Sequence, residues 1–214
     1  LKQLKTTVCY PFLMDVFNDY QKNDINKDTL VNVLRLIETY IFRRLVCGSP
    51  TNALNKVFAN LSRELKESED YKGDYFEVLS VLLLNKRNTA AFPLDQEFKQ
   101  EFLYRNMYKF PHIKYLLASL ENYNNNEIVD IDSLNIEHVM PQKLDSAWKV
   151  KLGNNHEIVH EKYLHNIGNL TLTGYNSSLS NKPFENKKIK LRESNLKLNR
   201  YFYDINIWDG EEIE

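Results

Sequence analysis

The chain has 214 residues, ample for a buried core and suited to one or two domains. Hydrophobic residues make up 43%, charged residues 27%, and the formal net charge is -1, an ordinary globular composition that excludes a global polycation, so any nucleic-acid surface must be a local patch. The sequence has no apolar run of 18 residues and no visible secretory signal, so no membrane segment is expected. Cys9 and Cys47 are far apart and form no Cys-x-x-Cys pair. That argues against a disulfide framework or a zinc knuckle and leads to the expectation of a reducing, cytoplasmic compartment. The sequence begins at Leu1 rather than Met, which suits a piece of a longer chain.

The first half reads as helical. Leu30, Val33, Leu34, Ile37, Ile41 and Leu45 recur at three- and four-residue steps, the period of an amphipathic helix. Gly48 is a natural stop, and Ser49-Pro50 suits the start of the next helix, through Leu54, Val57, Phe58, Leu61 and Leu65. YFEVLSVLLLN predicts a third, buried helix, Asp95 caps a fourth through Phe98 and Phe102, and FPHIKYLLASLENY predicts a fifth. The Arg43-Arg44 pair is expected to be structural.

The pattern breaks at Asn122–Asn126, a polar, turn-rich junction. From Glu121 to Glu137 there are five acidic residues and no Lys or Arg, which reads as a solvated linker. The boundary is placed there, giving a helical region over residues 1–125 and a second domain over 126–214. In the second part SLNIEHVM predicts a strand, DSAWKVKL a short helix, NLTLTG a second strand, and NKPFENKKIKLRESN a helix with Pro183 near its first turn. Trp148 and Trp208 are expected to anchor the core.

Glu137 and His138 close the first strand, and Asn169 opens the second. A His takes a proton from water near neutral pH. A carboxylate and an amide oxygen suit a hard cation such as Mg2+, which stabilises charge on a phosphate. Asn169 is placed to accept the second ring N–H of the His, although Ile167-Gly168-Asn169 alone also reads as a tight turn.

Glu137-His138-x-x-Pro141 and HNIGNLTLTGYNSSLSNKPFENKK, from His165 to Lys188, resemble the C-terminal nuclease domain of GmrSD-type restriction endonucleases. Those are modification-dependent, type IV systems, and the domain belongs to the HNH, or His-Me finger (ββα-metal), superfamily. The stretches IETYIFRRLVCGSPTNALNKVFANL and FPLDQEFKQEF resemble the helical region that precedes it. The resemblance implies an α+β fold, with a mainly α-helical N-terminal region followed by a ββα-metal nuclease domain. It implies a DNA endonuclease using Mg2+ or Mn2+, with a phage-defence role and DNA, including DNA with modified bases, as partner. In this sequence His138 is then the general base and Asn169 its orienting residue. Glu137 and Asn176 are the metal ligands, and Asn181 is an alternative ligand or phosphate contact. One departure is that the position nine residues after Asn169, where the commonest HNH layout has its last motif residue, is Ser178, flanked by Asn176 and Asn181. The family's nucleotide-hydrolysing half, of the ParB/sulfiredoxin-like type, has no counterpart here. There is no Asp-Gly-Gln-Gln-Arg stretch and no Gly-rich phosphate loop.

Two further patterns compete. From Lys182 to Arg200 there are seven Lys or Arg against two Glu, which predicts DNA contacts at Lys182, Lys187, Lys188 and Lys190, or else a solvated helix face. His156-Glu157-Ile158-Val159-His160 matches a zinc-protease pattern, but the flanking Gly153-Asn154-Asn155 and Ile167-Gly168 leave little room for a zincin helix. The alternative to a nuclease is a non-catalytic DNA-binding or protein-interaction module that keeps the nuclease fold.

Overall fold

The structure is a computed structural model, and it describes Leu4 and residues 6–71, 73–175 and 179–214. The chain divides into two compact units, up to Glu101 and from Phe102 onward. The division falls earlier than the composition break at 125/126, for a physical reason. The helix before that break belongs to the second unit, because the Glu121 carboxylate caps the backbone N–H groups of Lys197 and Leu198 at 2.7 and 2.9 Å.

The first unit is helical: α1 Tyr10–Gln21, α2 Lys27–Val46, α3 Asn52–Glu67 and α4 Tyr75–Leu84, with α5 Asp95–Tyr104 crossing the division. The Asn26 side chain accepts the Thr29 N–H and starts α2. Gly48, at φ 65°, ends it in the left-handed region. The predicted stripe is in the core: Val33, Ile37 and Ile41 are buried, as are Phe12, Phe58 and Leu61 of the neighbouring helices, each worth about 1.5–3 kcal/mol on burial. Helix α1 is hard to read from sequence, because its aromatic residues ring the helix: Phe12 is buried while Tyr10 and Phe17 are exposed. Arg43 pairs with Asp95 at 2.6 Å. The buried Arg44 donates to the carbonyls of Pro50, Thr89 and Ala91, the structural role expected for that pair.

The second unit contains α6 Ile113–Glu121, β1 Asn135–His138, α7 Ser146–Leu152, α8 His156–Tyr163, β2 Leu170–Thr173, α9 Phe184–Arg192 and α10 Gly210–Ile213. The two strands pair antiparallel, with His138 opposite Leu170 and Glu137 opposite Thr171. This is an α+β arrangement, mostly helical with a two-stranded sheet. Asp145 caps α7 by accepting the Trp148 N–H at 2.9 Å, and Pro183 stands immediately before α9. Trp148, Phe184, Phe202 and Trp208 centre the core, with Trp208 stacked on Phe184 at 5.7 Å and edge-on to Phe202 at 4.9 Å. Among the described residues no helix is long and apolar enough to cross a membrane.

Candidate active site

Adjacent residues on a strand face opposite ways. Glu137 therefore turns toward α9 and His138 toward His165, yet both line one cleft at the strand end. The cleft holds about 290 Å³, and Tyr108, Pro141, Gln142, Lys143 and Asn181 share its lining.

Glu137 is buried, and its Oε1 lies 2.6 Å from the Lys187 ammonium, which also donates to the His138 carbonyl at 2.7 Å. Lys187 is fully buried on the inner face of α9, between Phe184 and Leu191. Burial pulls the Lys187 ammonium down and pushes the Glu137 carboxyl up, and their mutual attraction opposes both shifts. Lys187 is thus not the surface DNA contact predicted. Its spacing from Phe184 and Leu191 places it on the core-facing stripe. Lys188 donates to the Ile205 carbonyl at 2.6 Å and Lys190 pairs with Glu193 at 2.7 Å, so neither is an unengaged cation. Lys182 is exposed beside Asn181.

His138 is 5% exposed. Its Nε2 lies 3.1 Å from His165 Nδ1, and its Nδ1 lies 3.3 Å from the Gln142 amide nitrogen. The Tyr108 ring meets it edge-on at 4.5 Å. That arrangement suits the tautomer with its proton on Nε2, facing His165 Nδ1. Burial, followed by the electrostatic influence of His165, Lys187 and His160, pushes the ring down from 6.5 to about 4. The free base therefore prevails at neutral pH.

That shift has a stability consequence. Between pH 6.5 and 4 the unfolded ring binds a proton that the folded ring refuses. His138 therefore contributes stability above pH 6.5 that is lost as pH falls toward 4, by up to about 3 kcal/mol. Glu137, pushed upward, works with the opposite sign, so the comparison needs a variant that keeps it. Urea titrations at pH 7 and pH 4.5 should show the advantage of wild type over His138→Ala shrinking at the lower pH. A constant difference would contradict the assignment.

Asn169 differs from expectation. It is fully buried. Its Oδ1 accepts from the Met140 N–H at 2.6 Å and from Trp208 Nε1 at 3.0 Å, and its Nδ2 donates to the Met140 and Leu164 carbonyls. All four valences are used, so Asn169 cannot accept a ring N–H from His138. It instead ties the backbone just beyond His138 to the backbone just before His165. Asn176, together with Ser178, lies outside the described residues.

The zinc-protease pattern also resolves structurally. His156 Nδ1 and His160 Nε2 lie 3.0 and 2.9 Å from the Gly153 and Pro141 carbonyls, and α8 has only 8 residues. Among the described residues no three His, Cys, Asp or Glu side chains gather to hold a metal ion. The cleft's Glu137 carboxylate and Asn181 amide fit an oxygen-seeking cation in kind, but they are few. Such an ion would keep most of its waters or take oxygens from a substrate.

Sequence reasoning missed His165, Gln142 and Tyr108 as site residues. His165 lies inside the motif from His165 to Lys188, but its role depends on a contact 27 residues away, which no local spacing reports.

The cleft is a strand–strand–helix site with an imidazole base candidate, a carboxylate held by a lysine, and amides at its edge. Residues 92–214 match the family model described as GmrSD restriction endonucleases, C-terminal domain. The match spans more than half of the chain, and the chain belongs to that family. The match takes in FPLDQEFKQEF, whereas the upstream helical stretch from Ile37 to Leu61 precedes it. No curated protein and no solved structure matches the chain significantly.

Proposed function

We propose that the chain is a divalent-metal-dependent DNA endonuclease of the HNH, ββα-metal type, acting in a restriction or phage-defence protein. The observation that carries this reading is the buried His138 ring, its Nδ1 on the Gln142 side of a cleft shared with Glu137 and Asn181. Family membership supports the substrate class. A DNA phosphodiester enters the cleft, with the exposed Lys143 of its lining and the exposed Lys182, next in sequence to the lining residue Asn181, as phosphate contacts. Water replaces the long Gln142 contact at His138 Nδ1, and Nδ1 takes its proton as the water oxygen bonds to phosphorus and the bond to the leaving sugar oxygen breaks. Glu137 with the Asn181 or Asn176 amide would hold Mg2+ or Mn2+, which would supply charge stabilisation for the phosphate and the leaving oxygen.

Lys187 already neutralises much of the Glu137 charge. The protein alone therefore attracts a cation weakly, and the DNA phosphate supplies the remaining negative charge. Metal and DNA are expected to bind cooperatively. The same ion pair is the one observation favouring a non-catalytic DNA-binding or interaction module. Supercoiled plasmid, unmodified and glucosyl-hydroxymethylated, separates the readings. Nicking in Mg2+ or Mn2+ that stops in EDTA is the expected result. Undiminished nicking in EDTA removes the metal from the reading, and no nicking of either DNA under any condition favours the non-catalytic module.

A further inference from the structure

We propose that His165 is a positioning residue that fixes the ring orientation and tautomer of His138, with Tyr108 packed against both rings. The inference rests on reading His138 as the base of the proposed reaction.

A general base needs its lone pair aimed at the water, and an imidazole has two nitrogens that can carry the proton. Something must therefore hold the proton on the far nitrogen. Asn169 cannot, since its four valences are spent on Met140, Leu164 and Trp208. Gln142 approaches Nδ1 through its amide nitrogen, a donor, at a long 3.3 Å. The acceptor within reach of Nε2 is His165 Nδ1, at 3.1 Å. Donation there leaves Nδ1 without a proton, on the Gln142 side of the ring.

The three rings form one packed group. His138 and His165 meet edge to face at 5.2 Å and 70°. Tyr108 stacks on His165 at 5.6 Å and 10°, and meets His138 at 4.5 Å and 61°. The rings come from the end of β1, from the turn before β2, and from the 3-10 turn Met107–Lys109. The backbone around His165 is anchored without its ring. Its carbonyl accepts the Met107 N–H at 2.9 Å, and the preceding Leu164 carbonyl accepts from Asn169 at 2.8 Å. Removing the imidazole therefore removes the acceptor and leaves the chain path held. When His138 takes up a proton from water, the same Nε2–H···Nδ1 bond becomes charge-assisted and strengthens.

The test is a 15N NMR measurement of the His138 ring in wild type, His165→Ala and His165→Asn, with plasmid turnover and DNA affinity measured alongside. In wild type Nε2 should be protonated and Nδ1 bare. His165→Ala should mix the tautomers and lower turnover about 10- to 100-fold, the range for lost orienting partners, with the Kd for DNA unchanged. His165→Asn offers an amide oxygen as acceptor and should recover most of the tautomer bias and of the turnover. An unchanged tautomer in His165→Ala, or a His165→Asn variant as impaired as the alanine, overturns the proposal. If wild type cuts no DNA, the nuclease reading fails by itself, and the NMR comparison still decides the role of His165.

Discussion

Lys187→Met is expected to destabilise the second unit by about 3–5 kcal/mol, measured as a lower urea midpoint for its unfolding. Lys187 is fully buried, and its ammonium has two acceptors, Glu137 Oε1 and the His138 carbonyl. Methionine keeps the length and fills the space, so the loss isolates the charge and its hydrogen bonds. What remains is a buried Glu137 with no counter-charge, and that uncompensated group dominates the cost. Lys187→Met/Glu137→Gln should recover part of the loss, since removing both partners of a buried pair costs far less than removing one. Lys190→Met, by contrast, removes only a partly exposed pair with Glu193 and should stay within about 0.5 kcal/mol. A Lys187→Met protein with unchanged stability but weaker DNA binding would return Lys187 to the surface role that the basic run suggested.

The second large effect is chemical. His138→Ala should lower single-turnover DNA cleavage by about 10²- to 10⁴-fold, the contribution of a positioned general base, while leaving the Kd for DNA within a few-fold. His138 lines the cleft wall but is only 5% exposed, so it offers little surface for binding DNA. In the proposed reading the exposed Lys143 and Lys182 provide that surface. A parallel loss of affinity and turnover would place His138 in binding instead.

Much of the second unit is legible in the sequence because its elements are local. Asp145, Pro183 and the alternation in NLTLTG define their starts within a few residues. The Glu137-His138 step is legible as a candidate because a simple packing role suits only one of two adjacent strand residues. The partners of those residues are less legible, for two reasons. Lys187 sits within a charge run, yet Phe184, Lys187 and Leu191 fall at helical spacing, and that buried stripe carries the correct signal. Asn169 reads as a partner for a ring N–H, but a fully buried amide in a tight turn satisfies backbone groups first. The His138–His165 contact is purely tertiary: it depends on the antiparallel register, which sets His138 opposite Leu170 and so brings the turn before β2 alongside the end of β1.

The most direct test of the account is the single-turnover rate of plasmid nicking by wild type and His138→Ala, each saturated with DNA in Mg2+. The account predicts rapid nicking by wild type and a rate lower by at least about 10²-fold in a folded, DNA-bound His138→Ala. Equal rates for the two proteins would contradict it.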